Sequence, residues 1–173
     1  MIKPYFALVF TCLFIPTLAT AKTVDWSDYL AGMKADCDTY NLDKAIPANL
    51  KPSIAKIVNH RKLDDGTYIG KRVIALKNAT AFGYPITKIV LDSTGYVGST
   101  DIYFANSDFM KLRNQFYLNT KEGKLYASEK RKVIDPDSFD GVLTADGNGY
   151  DTGLAALTFD LKGKSISCSW AAA

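Results

Sequence analysis

Between residues 25 and 40, in "DWSDYLAGMKADCDTY", Trp26, Leu30, Met33, Cys37 and Tyr40 recur at spacings of four, three, four and three. That period traces one face of a helix, with Asp25 or Ser27 available to cap its start. Cys37 falls on the apolar stripe and is expected to face a core. The next stretch, "NLDKAIPANLKPSIAKIVNHRKLDDG", is interrupted by Pro47 and Pro52, and Pro52 is suited to open a short helix through Asn59. "TYIGKRVIALKN" reads as a strand. "YPITKIVLDSTGYVGSTDIYFA" reads as two strands about a turn at Asp92-Ser-Thr-Gly95. "NSDFMKLRNQFYL" places Phe109, Leu112 and Phe116 on one face and predicts a second helix with Ser107 as its N-cap. "GKLYASEKRKVI" reads as strand. "DPDSFDGVLTADGNGYDTG" reads as a long loop, and "LAALTFDLKGKSISCSW" as a closing hairpin.

These elements predict an α+β fold: two helices packed on an antiparallel sheet. "IVLDSTGY" (89–96) and "LTFDLKGK" (157–164) share the pattern apolar-x-apolar-Asp-x-x-Gly, and each follows an amphipathic segment. The echo points to a tandem helix-hairpin duplication, with halves 22–106 and 107–170 in one domain spanning 22–170.

The N-terminus changes the picture by assigning a compartment. "MIKPYFALVFTCLFIPTLATAKTVDW" has a Lys, an apolar stretch over 6–18 and the small-residue motif Ala19-Thr20-Ala21. This is the pattern of a signal peptide, residues 1–21, and the stretch is shorter than the ~20 residues of a membrane span. No later segment is apolar enough to span a bilayer, so a periplasmic or secreted protein is expected. The terminal "AAA", 171–173, reads as a cloning remnant. Cleavage would remove Cys12 and leave Cys37 and Cys168, for which one intramolecular disulfide is the expected pairing. The alternatives are an intermolecular bridge or two free thiols.

Hydrophobic content of 47% with 23% charged residues suits a globular chain. Charge is unevenly distributed. Residues 111–132 hold seven basic and two acidic residues, whereas 133–161 hold six aspartates (Asp135, Asp137, Asp140, Asp146, Asp151 and Asp160) and no Lys, Arg or Glu. The two blocks either neutralise each other or leave the acidic one to dock a cationic partner. The basic block is short and mixed with glutamates, which with export argues against nucleic acid.

Chemistry-bearing motifs are sparse. The one histidine, His60, stands beside Arg61 and Lys62, and no Gly-x-Ser-x-Gly elbow occurs. "DGNGYD" (146–151) departs from the calcium-loop pattern, with Tyr150 at the fifth position, Asp151 at the sixth and Leu157 at the closing position. Neither a catalytic group, a cofactor nor a metal is expected. Among ten tyrosines, Tyr84, Tyr96 and Tyr103 alternate with apolar residues, which favours an exposed binding face.

The layout, the "IVLDSTGY"/"LTFDLKGK" echo and the Cys37–Cys168 pair resemble exported β-lactamase-inhibitor-like proteins and small helix-plus-sheet envelope modules. The resemblance covers most of the chain after residue 21 and implies that loops and a concave sheet are presented to a target enzyme. The expected function is therefore a non-catalytic exported protein that inhibits or neutralises another protein, as a hydrolase inhibitor or an immunity protein. Asp135, Asp137, Asp140, Asp146 and Asp151 would supply the loop contacts, and Tyr96 and Tyr103 the sheet contacts. An envelope assembly module and a small hydrolase are the alternatives.

Overall fold

The computed structural model describes residues 22–35, 37–38, 45–64, 67–93, 97–120, 123–128, 142–143, 149–151 and 155–171, with backbone alone for 60–64, 67–69, 97, 120, 142–143, 149–151, 155 and 170–171. The architecture is mostly β, which overturns the α+β expectation of two helices on a sheet. Strands β1 (Val24–Asp25), β2 (Ile54–Asp64), β3 (Thr67–Ala81), β4 (Tyr84–Ser93), β5 (Val97–Phe104), β8 (Val142–Leu143), β9 (Gly149–Asp151), β10 (Ala155–Asp160) and β11 (Ser165–Ala171) form one sheet; β6 (Tyr117–Thr120) and β7 (Gly123–Tyr126) form a separate hairpin. The order is β1-β3-β4-β5-β11-β10-β9-β8. β2 also pairs with β3, sharing its outer edge with β1. Among the described strands, only β1 runs parallel to its neighbour. The sheet runs unbroken across both expected halves, because β5 pairs with β11; this replaces the tandem helix-hairpin arrangement.

Direct cross-strand partners share a face, so the register identifies the apolar one. Ile57, Ile74, Ile89, Ile102, Ile166 and Phe159 form one row across β2, β3, β4, β5, β11 and β10. A neighbouring row runs Asn59, Arg72, Leu91, Thr100, Cys168 and Leu157. From Ile74 to Phe159 every member of the first row is fully buried. Complete burial of one such side chain is worth about 1.5–3 kcal/mol. This face must therefore be covered.

The cover contains no α-helix among the described residues. The stretch expected to be the first helix instead forms β1, a turn, a 3-10 helix (Ala31–Lys34) and an isolated bridge from Ala35 to Tyr117. Its periodicity is nonetheless honoured: Trp26, Leu30, Met33 and Cys37 are all buried. Leu30 N–H bonds the Trp26 carbonyl at 3.0 Å and Met33 N–H the Leu30 carbonyl at 3.0 Å, so successive turns keep one side inward. The helix fails because the chain folds back on itself. Asp38 N–H reaches the Gly32 carbonyl at 3.1 Å, a side chain on Gly32 would collide with the Asp38 carbonyl, and Cys37 has φ 52°. Asp25 and Ser27, expected as helix caps, tie the segment to the sheet. Phe82 N–H donates to Ser27 Oγ (2.6 Å), which donates to Asp25 Oδ1 (2.6 Å).

The short helix expected from Pro52 through Asn59 is a 3-10 turn (Lys51–Ser53) leading straight into β2. The β-branched residues of "IAKIVN" are better accommodated on a sheet surface. The second expected helix is also a 3-10 helix (Ser107–Asn114), and its cap is Asn106 rather than Ser107, with Asn106 Oδ1 accepting from Asp108 N–H at 3.0 Å. It seats Phe109 and Leu112 on the sheet. Phe109 stacks on Phe104 at 4.7 Å, and Phe116 meets Phe159 edge-on at 5.5 Å. The stretch expected to be one long loop contains β8 and β9, which extend the sheet past β10. The strands expected at 67–78, 84–105 and in the closing hairpin are present. Phe82 and Gly83, both at positive φ (53° and 84°), form the two-residue β3–β4 turn, a geometry matched to strand twist.

Cys37 and Cys168 are joined in a buried disulfide, Cα–Cα 5.3 Å and 131 residues apart in sequence. It links the cover to β11. Replacing both cysteines by Ser is expected to reduce the unfolding free energy by about 2–5 kcal/mol, read from urea melts under non-reducing conditions; an unchanged midpoint would show that packing alone holds the cover. A second anchor is polar: Trp26 Nε1–H donates to Ser53 Oγ at 2.9 Å, and that hydroxyl donates to the Leu50 carbonyl at 2.8 Å, all buried. Ser53→Ala, which leaves the indole N–H unpaired, is expected to cost about 1–3 kcal/mol in the same melts.

Candidate functional site

On the face opposite the core, the rows run Lys56, Ala75, Lys88, Tyr103, Ser165, Asp160 and then Val58, Val73, Val90, Asp101, Ser167, Thr158. Lysines lie toward β2–β4 and aspartates toward β5 and β10, with small hydroxyl side chains between them. Tyr103 stands at the junction. Lys88 Nζ sits 3.6 Å from the centroid of its ring, a cation–π contact, and burial, then the charges of Asp101 and Asp160, push its phenol above the ordinary tyrosine range. Elsewhere on this face Lys71 and Asp92 form an exposed ion pair at 3.7 Å. Tyr103 is thus half-buried and engaged with neighbours, rather than free on the surface as the alternation suggested.

A second feature lies on the core side, where the cover ends. Ile57, the β2 member of the apolar row, is 41% exposed although its five row partners are completely buried. It lines a groove of about 550 Å³ with Ala45, Ile46, Lys51, Ile54, Asn59 and Arg72. The three isoleucines supply an apolar floor, and Lys51 and Arg72 supply positive charge. Arg72 and Asn59 are direct register partners, and Arg72 Nε–H donates to Asn59 Oδ1 at 3.1 Å. That bond orients the guanidinium and leaves both Nη groups without a partner among the described residues. The groove also follows β2, an eleven-residue edge strand whose outer side pairs with no described strand. Such an edge presents alternate backbone N–H and C=O groups for pairing.

Of the residues the sequence nominated, Tyr103 is on the outer face and Cys37 and Cys168 form the disulfide. Asp151 lies in β9, where only the backbone is described. Tyr96, Asp135, Asp137, Asp140 and Asp146 lie outside the described residues, as does the whole stretch 1–21. His60 lies in β2 rather than at the end of a helix. No helix among the described residues is long and apolar enough to cross a membrane, and this, with the disulfide, is compatible with a periplasmic or extracellular protein. Ile57 and Asn59 escaped the sequence reading because 52–59 was read as helical, and Arg72, in a strand that was expected, because its pairing with Asn59 depends on register. The signal available was the β-branched content of "IAKIV".

No family, no curated protein and no solved structure matches this chain.

The direction of the Tyr103 shift sets a pH dependence. Unfolded tyrosine ionises first, near 10.0, whereas the folded phenol holds its proton longer. The associated stability is complete below that value and is lost as pH rises through the folded pKa. Alkaline melts are expected to show this loss, and Tyr103→Phe to diminish it. Phenolate absorbance of wild type minus Tyr103→Phe should place the missing titration above the ordinary tyrosine range; a midpoint at or below that range would refute the assignment.

Proposed function

We propose that the chain is an exported, non-catalytic protein-binding module that inhibits or neutralises another protein, and that it docks through the groove beside β2. One observation carries the reading: the apolar row is fully buried from β3 to β10, yet its last member, Ile57, stands uncovered between Ile46, Ile54 and Arg72. An isolated exposed apolar side chain is ordinary. A core row that continues into a charged, concave surface is what a partner's side chains would complete. The Asp-rich stretch 133–153 remains part of the proposal on its sequence alone, as a contact for a cationic surface; the groove itself has the opposite sign.

Leu161, the other large exposed apolar side chain among the described residues at 54%, lies in the β10–β11 turn and serves as a control. Wild type, Ile57→Asp and Leu161→Asp are to be immobilised and challenged with an extract of the exported compartment at moderate salt. A specific partner should be retained by wild type and by Leu161→Asp, and weakened at least about tenfold, ~1.4 kcal/mol, by Ile57→Asp. Equal retention by all three proteins would end the docking reading.

A further inference from the structure

We propose that the groove receives an extended acidic segment of a partner protein, which adds to β2 as a further strand and places a carboxylate on Arg72. The proposal rests on the docking reading above and gives the occupant its chemistry. Three features converge on it.

First, β2 offers eleven residues of strand whose outer side has no described partner. Backbone groups there are satisfied by water or by another backbone, and main-chain pairing is the way a sheet edge gains affinity for an extended peptide. Second, the side chains beside that edge alternate in chemistry along β2: Ile57 is apolar, and Asn59 orients the Arg72 fork. The Nη pair, without a partner among the described residues, has the planar geometry that grips a carboxylate with two hydrogen bonds. Third, the charge selects the sign of the occupant. Lys51 and Arg72 line the groove, and β2 itself carries Lys56, Arg61 and Lys62 against one Asp64.

The same charges argue against the other occupants. A second copy paired along β2 would bring together two strands that each carry an excess of positive charge, which is unfavourable. A fatty acid would satisfy Arg72 and the isoleucine floor but leave the strand edge unpaired. An acidic peptide whose groove-facing positions, every second residue, alternate apolar and carboxylate answers all three features together.

The probe is the fluorescent peptide Glu-Val-Thr-Glu-Thr-Val-Glu, whose second, fourth and sixth residues share a face as Val, Glu and Val, read by anisotropy against the full chain at low and moderate salt. Saturable binding is expected, with the Lys-for-Glu version at least about tenfold weaker. Arg72→Gln should weaken binding by about tenfold, whereas Lys111→Gln, which removes the same charge on an exposed helix far in sequence, should leave it unchanged. N-methylation of alternate peptide nitrogens should abolish binding in one phase and spare it in the other, as strand pairing requires. Equal binding of the acidic and basic peptides would overturn the proposal, as would equal effects of Arg72→Gln and Lys111→Gln. Binding of dodecanoate but not of the peptide would instead assign the groove to an amphiphile and also overturn it. The two readings fail separately. If Ile57→Asp loses protein capture while the acidic peptide never binds, docking stands and strand addition falls. If Ile57→Asp leaves capture intact, the docking reading falls on its own.

Discussion

A sheet with one apolar face cannot stand in water uncovered, and here the cover has little regular structure of its own. Turns, two short 3-10 helices and the β6–β7 hairpin lie over the row from Ile74 to Phe159. Such segments lack the internal hydrogen-bond ladder that lets an α-helix dock as a rigid body. They are held instead at discrete points. The Cys37–Cys168 disulfide joins the first covering segment to β11, Trp26 is tied through Ser53 to the Leu50 carbonyl, and Arg113 reaches the Ala127 carbonyl at 2.9 Å to fasten the hairpin. The covalent link matters most because it spans nearly the whole described chain and so constrains the unfolded state strongly.

The position of the covering segments also decides where the surface remains open. They extend over β3, β4, β5, β11 and β10 but not over the start of β2, so the core row emerges as the groove floor at Ile57. Function on this reading follows from an incomplete core. The outer face offers a contrasting environment: its lysines and aspartates are arranged around a half-buried Tyr103, with small hydroxyl side chains among them.

Several features were legible in the order of residues. The buried set Trp26, Leu30, Met33, Cys37, Phe109, Leu112 and Phe116 was identified from spacing, although neither segment is an α-helix. Mixed turns and 3-10 geometry bring residues three and four apart to one side just as a helix does, so burial and helicity share a sequence signal. Ile54 to Asn59 was misread for a related reason: a proline at a turn start precedes strands as well as helices. The Asn106 cap was displaced by one residue from the expected Ser107, since both side chains are good acceptors and local geometry chooses between them.

Local chemistry by itself determined which residues are apolar enough to be buried, where the β3–β5 and β10–β11 strands run, and that Cys37, on its apolar stripe, suits a buried pairing with Cys168. Those properties depend on composition and short-range spacing. Only the tertiary structure decided that β5 lies against β11, that Asn59 faces Arg72, and that the apolar row outruns its cover at Ile57. Each of these depends on the register between segments distant in the chain, and register is fixed by the joint fit of many side chains across a sheet rather than by any one stretch of it.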